Sequence, residues 1–171
     1  FARAAQKFVV DIDLTSHYKK TFPIDRLIHA DASDFLGKLL SAIPNDLQPS
    51  EQWLNQCNSW KKKYPVCLPE YQSTSGAINI YSFINRLSDL SSEGDTFISD
   101  AGSAFYAVSQ GIQLTKSNQR YIPSGAMATM GYSLPAAIGV SAATGDSRVL
   151  AITGDGSFQQ NIQELQTLIY Y

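Results

Sequence analysis

Four consecutive residues, Gly154-Asp155-Gly156-Ser157, combine groups that proteins use to bind a phosphate and a hard cation. Glycine lets backbone N–H groups approach an anion closely, above all at the start of a helix. A carboxylate such as that of Asp155 is the hard oxygen ligand that Mg²⁺ prefers. These residues predict a site for a phosphate with its magnesium ion. The four residues alone also fit a plain strand–turn–helix in which an aspartate caps the helix and nothing binds.

Two rival phosphate motifs are excluded, and a helix start is indicated. A dinucleotide fingerprint, G-x-G-x-x-G, would need glycine where Gln159 stands, and the G-K-[ST] ending of a P-loop is absent. Ser157 and Gln160 match the S-x-x-Q capping box, so we expect Ser157 to cap the helix that follows.

The elements around this motif predict an α/β fold, a parallel sheet flanked by helices. Residues 148–153 form an apolar run typical of a strand buried on both faces, and 96–98 form a shorter buried strand. Apolar spacing and start or stop signals predict helices near 32–43, 78–90 and 102–110, a helix that opens at 131–135 and ends just before Gly145, and a last helix that begins at the Ser157 capping box and runs to 171. Ligands of open α/β sheets bind beyond the carboxyl ends of strands, which is where the motif lies.

The order of elements predicts parts of two domains. Residues 1–49, with a strand near 8–13 and a helix capped by Asp31 or Ser33, read as the end of a first domain. Residues 50–75 read as a linker made of a short helix and an extended connector, and 76–171 as the first part of a second domain. The strand near 8–13 has no strand before it to pair with, and the last helix has no stop signal. We therefore expect an internal piece of a longer protein, incomplete at both ends.

Composition narrows the class of protein. Charged residues are 16% of the 171 and the net charge is −2, so binding to nucleic acid through phosphates is not expected. No apolar run approaches the roughly 20 residues that cross a bilayer, so no membrane partner is expected. Cys57 and Cys67 lie outside any CxxC arrangement and indicate reduced thiols of a cytoplasmic protein. His17 and His29 lack the partners at ligand spacing that zinc sites show.

Longer segments carry a resemblance to a known family. Residues 154–158 and 161–165, together with 124–139, resemble thiamine-diphosphate-dependent enzymes of the acetolactate-synthase type. Residues 8–13 and 28–32 are similar to the end of that family's central domain. The resemblance implies the thiamine-diphosphate-binding fold for this chain, with thiamine diphosphate and Mg²⁺ as cofactors. It also leaves room for FAD, with Asp11 or Asp13 beside a ribose.

The resemblance also implies roles for individual residues. Asp155 would be the Mg²⁺ ligand, and the diphosphate would be surrounded by Gly154, Gly156 and Ser157. Met130 would be the catalytic residue, an apolar wedge that bends the cofactor, whereas core packing is the usual role of a lone methionine.

Two loops would complete the cofactor site. The carbonyl of Ala128 would accept from the cofactor's 4′-amino group, while the N–H of Met130 would donate to the pyrimidine. Ala101, Gly102 and Ser103 would form a further cofactor loop. The synthases usually have a Gln-His pair where Ser103 and Ala104 stand, which leaves the substrate open and favours a relative, such as an enzyme that transfers an acyl group to a keto-sugar.

The implied reaction is decarboxylation of a pyruvate-like 2-keto acid with ligation to a second carbonyl, in a homodimer or homotetramer. A simple 2-keto-acid decarboxylase and a non-enzymatic scaffold that keeps the fold are the alternatives. Neither Glu93 nor Glu164 matches the family's activating glutamate, so we expect the 171-residue chain to be inactive alone.

Overall fold

The computed structural model describes residues 2–19, 21–72, 76–145 and 147–171. It divides into two compact units, Phe1–Gln56 and Cys57–Tyr171. Its strands are β1 Phe8–Asp11, β2 Arg26–His29, β3 Thr96–Ser99, β4 Arg120–Pro123 and β5 Val149–Ile152. Its helices are α1 Ala32–Ala42, α2 Glu51–Lys63, α3 Ile80–Leu90, α4 Gly102–Gly111, α5 Ser133–Thr144, α6 Asp155–Gln160 and α7 Glu164–Tyr170. The sheets are parallel and helices flank them, which confirms the predicted α/β class.

The first unit is built on a parallel pair of strands. β1 pairs with β2 in the register Val9↔Leu27, so the strand that lacked a partner before it pairs with one that follows. β2 was not predicted because its four residues have no apolar run long enough to indicate a strand. The carboxylate of Asp31 accepts from the N–H of Ser33 at 2.8 Å, which makes Asp31 the cap of α1.

The second unit is organised around β3. The sheet order is β4-β3-β5, and the register aligns Ser99 with Pro123 on one side and with Ile152 on the other. The carboxyl ends of three strands therefore meet at one edge. All four residues of β3 are buried. Ile84 of α3 packs with Ala107 and Val108 of α4 in the hydrophobic core of this unit.

β5 is less buried than the sequence predicts. The run at 148–153 was expected to be covered on both faces, but β5 is half-buried and Ala151 is exposed. The prediction of full burial is wrong because β5 lies at the edge of the described sheet, with β3 on one side only. The strand that the sheet does bury completely is its neighbour β3.

The last segment is two helices where one was expected. α6 ends at Gln160 and α7 begins at Glu164, with Asn161 out of helical conformation at φ −132°. The side-chain amide of Asn161 donates to the carbonyl of Gly131 at 2.7 Å, and this long-range bond lies at the break. A purely local reading of helical spacing cannot anticipate it.

The predicted linker contains α2 and, at Pro69–Gln72, a short 3-10 helix. Residues 73–75 lie outside the described part of the chain, and the boundary between the two compact units falls inside α2. The predicted domain limits 1–49, 50–75 and 76–171 stay a prediction. Within the described residues, no helix has both the length and the apolar character to cross a membrane.

An ion pair joins the residues just before β3 and β5. Arg148 donates from Nε to Asp95 at 2.9 Å and from Nη2 at 2.6 Å, and Asp95 is 2% exposed. The hydrogen bond from Arg148 lowers the pKa of Asp95 below its ordinary value of 3.8, although burial opposes the shift. A depressed carboxyl pKa stabilises the fold above that ordinary value, and the contribution is lost as the pH falls below it.

Asp95→Asn should therefore make the free energy of unfolding less dependent on pH. Wild-type stability should fall as the pH is lowered from about 5 to 3, since native carboxylates must then be protonated. The variant should be less stable at neutral pH, and should lose less of its remaining stability on acidification. Urea denaturation at several pH values measures both effects, with Asp89→Asn, which removes an exposed carboxylate, as the matched control. An acid dependence in Asp95→Asn as steep as that of the wild type would contradict this.

Candidate functional site

The candidate site lies at the carboxyl edge of the sheet in the second unit. Asp100 follows β3 directly, and residues 153–157 follow β5. The loop between β4 and α5, residues 124–132, reaches the same edge, because Ser124 donates from its N–H to the carbonyl of Ser99 at 3.1 Å. Its hydroxyl also donates to the carbonyl of Asp100 at 2.5 Å. Three segments that carry predicted cofactor residues therefore converge.

The carboxylate of Asp100 holds these segments together. It is fully buried. Oδ1 accepts from the N–H of Ala101 at 2.8 Å. Oδ2 accepts from the N–H of Ser133 at 3.1 Å, the hydroxyl of Thr153 at 3.0 Å and the hydroxyl of Ser157 at 2.5 Å. We call Asp100 and these four donors the Asp100 network.

Asp100 is ionised in this setting despite its burial. Burial alone would raise the pKa of its carboxyl, but hydrogen bonds from Ser157, Ser133 and Thr153 outweigh it and hold the pKa below the ordinary value. Hydrogen bonds to the charged form stabilise that form. A buried charge is tolerated here because neutral donors replace the water that it loses.

Ser157 does not cap the helix. α6 begins at Asp155 with Gly154 as its N-cap residue, so the predicted capping box with Gln160 is wrong. The Ser157 side chain turns inward, donates to Asp100, and accepts from the N–H of Gly131 at 2.7 Å. The Ser157 hydroxyl bonds to Asp100, 57 residues away in sequence, and does not make the local bond of a capping box. At 4% exposure, Ser157 is buried.

Gly131 is required by both its conformation and its neighbours. Its φ is +82°, in the left-handed region that residues with a Cβ rarely adopt. A Cβ there would lie 2.9 Å from Nδ2 of Asn161 and 3.1 Å from Cβ of Gln160. The N–H of Gly131 donates to Ser157 and its carbonyl accepts from Asn161, so the peptide groups on both sides of Gly131 are each held by a hydrogen bond.

Met130 lies beside the glycine-rich turn. Its Cε is 3.3 Å from the position that a Cβ on Gly156 would take, and the residue is 45% exposed. Met130 is therefore not an ordinary core methionine, and its methyl group covers the turn. Ala128, two residues earlier, is left-handed at φ 46° and ψ 44°, so alanine takes at this position a conformation usually left to glycine.

The third predicted loop begins α4. Ala101 is its N-cap residue in extended conformation, and Gly102 has φ +58° with nothing within 4 Å of a built Cβ. Ser103 is exposed, whereas Ala104 is 7% exposed. A side chain as large as histidine would need the core to move at position 104.

Asp155 is exposed at the first position of α6, and its Oδ1 accepts from the N–H of Gly156 at 2.8 Å. Within the described residues, no group of three or more His, Cys, Asp or Glu side chains could hold a metal ion. The predicted Mg²⁺ ligand role of Asp155 stays a prediction.

The pair predicted to lie near an FAD ribose is used locally. Asp11 accepts from the N–H of Asp13 at 2.8 Å, and its Oδ2 lies 2.9 Å from Nε2 of His17. Asp13 accepts from the hydroxyls of Ser16 and Thr15, which lower its pKa to about 2. A ribose hydroxyl would compete with these bonds. FAD stays a prediction without support from this geometry.

Comparison with known proteins identifies the family of the second part of the chain. Residues 100–171 match the family described as thiamine pyrophosphate enzyme, C-terminal TPP binding domain. This part of the chain belongs to that family. The match begins at Asp100 and includes Met130 and the glycine-rich turn, and the predicted resemblance is confirmed at this level.

Relatives extend the similarity along the chain. The large subunit of acetolactate synthase from Cyanidium caldarium is 33% identical over 100% of this chain and 29% of its own length. The Buchnera aphidicola (subsp. Schizaphis graminum) large subunit is 36% identical over 95% of the chain. The isozyme 3 large subunit of Escherichia coli K12 is also 36% identical over 95%. The chain spans 28–29% of the length of these relatives.

Sequence reasoning missed three residues of the TPP-binding domain: Asp100, Ser124 and Asn161. One signal was available for Asp100, an acidic residue directly after a buried strand at the carboxyl edge of a parallel sheet. The other two were not accessible, because each bonds a backbone carbonyl far away in sequence.

Gly131→Ala should destabilise the TPP-binding domain. The left-handed conformation alone costs roughly 1–2 kcal/mol, and the contact with Asn161 adds to this, so we expect a loss of at least ~2 kcal/mol in the free energy of unfolding. Chemical denaturation measures it. The matched control is Gly139→Ala, in the middle of α5 with nothing within 4 Å, which should be neutral or stabilising by up to ~1 kcal/mol. Equal stability of the two variants would show that Gly131 is not constrained.

Proposed function

We propose that this chain supplies the cofactor-binding part of a thiamine-diphosphate- and Mg²⁺-dependent enzyme that decarboxylates a pyruvate-like 2-keto acid and joins the product to a second carbonyl. One observation carries the proposal: the methyl group of Met130 lies against the turn that contains Asp155 and Gly156. An apolar ledge next to an exposed carboxylate and a glycine turn suits a cofactor with an apolar ring at one end and a diphosphate at the other.

The residues present fit this cofactor. Gly154 and Gly102 have no atom within 4 Å of a built Cβ, so the backbone beside each is open to a ligand. Asp155 is exposed and offers one carboxylate to a cation that would neutralise the diphosphate. Met130 presents nearly half of its surface outside the core. Each of the three groups has a counterpart in the chemistry of the cofactor.

In this proposal the protein binds and orients, and the thiazolium ring of the cofactor, when bound, supplies the electron sink for decarboxylation. The carbonyl of Ala128, in its left-handed turn, would accept a hydrogen bond from the aminopyrimidine, and the N–H of Met130 would donate to the same ring. Gly154, Gly156 and the first turn of α4, Ala101 to Ser103, would hold the diphosphate. The Met130 side chain would support the cofactor between these two groups of contacts.

Substrate and assembly belong to the same proposal. The buried Ala104 leaves no space for the histidine that acetolactate synthases usually have, which favours a relative with a different second carbonyl substrate, such as a keto-sugar. The acid at position 155 argues against a scaffold without catalysis, because within the described residues its carboxylate accepts a local bond from the N–H of Gly156 and supports no long-range contact. We further propose a homodimer or homotetramer in the cytoplasm, with the activating glutamate contributed from outside this chain.

Asp155→Ala should weaken Mg²⁺-dependent binding of thiamine diphosphate at least tenfold, about 1.4 kcal/mol, because the metal loses its protein carboxylate. Titration calorimetry of the intact enzyme, with and without Mg²⁺, measures this. Glu164→Gln is the matched control, since it removes a carboxylate from the first turn of the next helix. Unchanged affinity in Asp155→Ala would contradict the metal assignment.

Met130→Ala should lower turnover much more than it lowers cofactor affinity. The wedge acts on geometry at the reacting carbon, where misplacement can cost roughly a hundredfold, while the diphosphate contacts remain. Steady-state kinetics of the intact enzyme with saturating cofactor measures turnover, and fluorescence titration measures affinity. Met127→Ala removes the second, 82% exposed methionine of the same loop and should retain activity. Equal turnover in the two variants would make Met130 a packing residue only.

A further inference from the structure

Two residues connect the centre of the sheet to the loop that carries Met130. The buried carboxylate of Asp100 accepts from the hydroxyl of Ser157, and the same hydroxyl accepts from the N–H of Gly131. Gly131 follows Met130 directly. The connection joins residues 57 and 26 positions apart in sequence, and both of its hydrogen bonds are buried.

We propose that Asp100 and Ser157 form a positioning relay that fixes Met130 over Gly156, with the Ser157 hydroxyl serving this relay and not the diphosphate. The proposal deepens the function proposed above, on which its consequence for catalysis rests. Neither residue touches the reacting atoms. Both act through the peptide of Gly131.

The chemistry of Asp100 and Ser157 decides which group donates and which accepts in each hydrogen bond of the relay. A hydroxyl has one hydrogen to donate, and an ionised carboxylate can only accept. Because Asp100 takes the Ser157 hydrogen, a lone pair of the hydroxyl is left for the N–H of Gly131. An asparagine at position 100 would either lose acceptors or direct N–H groups at the donors of Thr153 and Ser157. The relay therefore needs the charged acid and not merely its shape.

The relay ends on Gly131, whose two flanking peptide groups are both hydrogen-bonded. Ser157 holds the N–H of Gly131 and Asn161 holds its carbonyl. Gln160 and Asn161 leave no room beside its Cα. The peptide between Met130 and Gly131 contains this N–H, so holding it sets the backbone at Met130 and with it the position of the methyl group, 3.3 Å from where a Cβ on Gly156 would lie. Releasing the N–H would free the wedge while leaving Asp155 and Gly154 in place.

The two methionines of the chain make the relay observable without any cofactor. Met127 and Met130 are the only ones in the 171 residues, so methyl-¹³C methionine labelling yields two NMR signals. Met127 is 82% exposed and reports on the solvent-facing side of the loop, whereas Met130 reports on the contact with Gly156. Met130→Ala assigns the two signals.

We expect Ser157→Ala and Asp100→Asn to shift the Met130 methyl signal toward its position in the unfolded chain, with the Met127 signal nearly unchanged. Two controls should leave both signals in place. Thr153→Val removes a donor to the same carboxylate without interrupting the relay, and Asp95→Asn removes a buried carboxylate from the other end of β3. If Asp100→Asn does not fold, Ser157→Ala decides. An unmoved Met130 signal in folded Ser157→Ala overturns the relay.

A second measurement separates this result from the proposed function. In the intact enzyme, Ser157→Ala should lower turnover about tenfold or more, by misplacement of the wedge, with affinity for thiamine diphosphate and Mg²⁺ within about threefold of wild type. A large loss of affinity with turnover retained at saturating cofactor would make Ser157 a diphosphate ligand and overturn the positioning role. If the Met130 signal shifts in Ser157→Ala but the intact wild-type enzyme binds no thiamine diphosphate, the relay is kept and the proposed function is overturned.

Discussion

A buried, ionised aspartate at the end of the central strand determines how the candidate site is assembled. Asp100 has no cation among its hydrogen-bond partners, and its negative charge is satisfied by neutral N–H and O–H donors from the starts of α4 and α5, the end of β5 and α6. Each donor lowers the cost of burying this charge, because unsatisfied burial of a charge is costly. The ionised Asp100 therefore favours the arrangement in which the three segments lie together at the sheet edge.

The two buried aspartates that flank β3 illustrate different solutions to the same problem. Asp95 is neutralised by Arg148, whose long side chain reaches it from the residue before β5 and remains 55% exposed. Asp100 accepts hydrogen bonds from backbone N–H groups and from the hydroxyls of short side chains. Such donors can reach the carboxylate only if their own backbones lie close to it. A long side chain such as that of Arg148 at the carboxyl end would occupy the space proposed for the cofactor. Short neutral donors bring the loops close to Asp100 and do not extend into that space.

Features that depend on residues close in sequence could be predicted from the sequence, whereas features that depend on distant residues could not. The start of α1, where Asp31 was one of two candidate caps, and the end of α5 just before Gly145 depend on contacts within a few residues, and the sequence predicts them. The α/β class follows from the order of strands and helices along the chain. Ser157 was assigned to a local capping box, but a partner 57 residues away takes its hydroxyl. The break between α6 and α7 has the same origin, since Asn161 bonds Gly131 across 30 residues. In each case a tertiary acceptor wins over a local pattern that is worth about 1 kcal/mol.

Different physical requirements explain why positions 154 and 156 of the turn are both glycine. From sequence, Gly154 and Gly156 indicate close approach of the backbone to a phosphate. At Gly154 nothing lies within 4 Å of a built Cβ, so packing does not require glycine there and close approach of a phosphate remains the reason for it. At Gly156 a Cβ would meet the Met130 methyl at 3.3 Å, tighter than ordinary contact, so the absent side chain also makes room for the wedge. A motif that looks like a phosphate loop therefore also accommodates the packing of a second loop, because Gly156 leaves space for the methyl group of Met130.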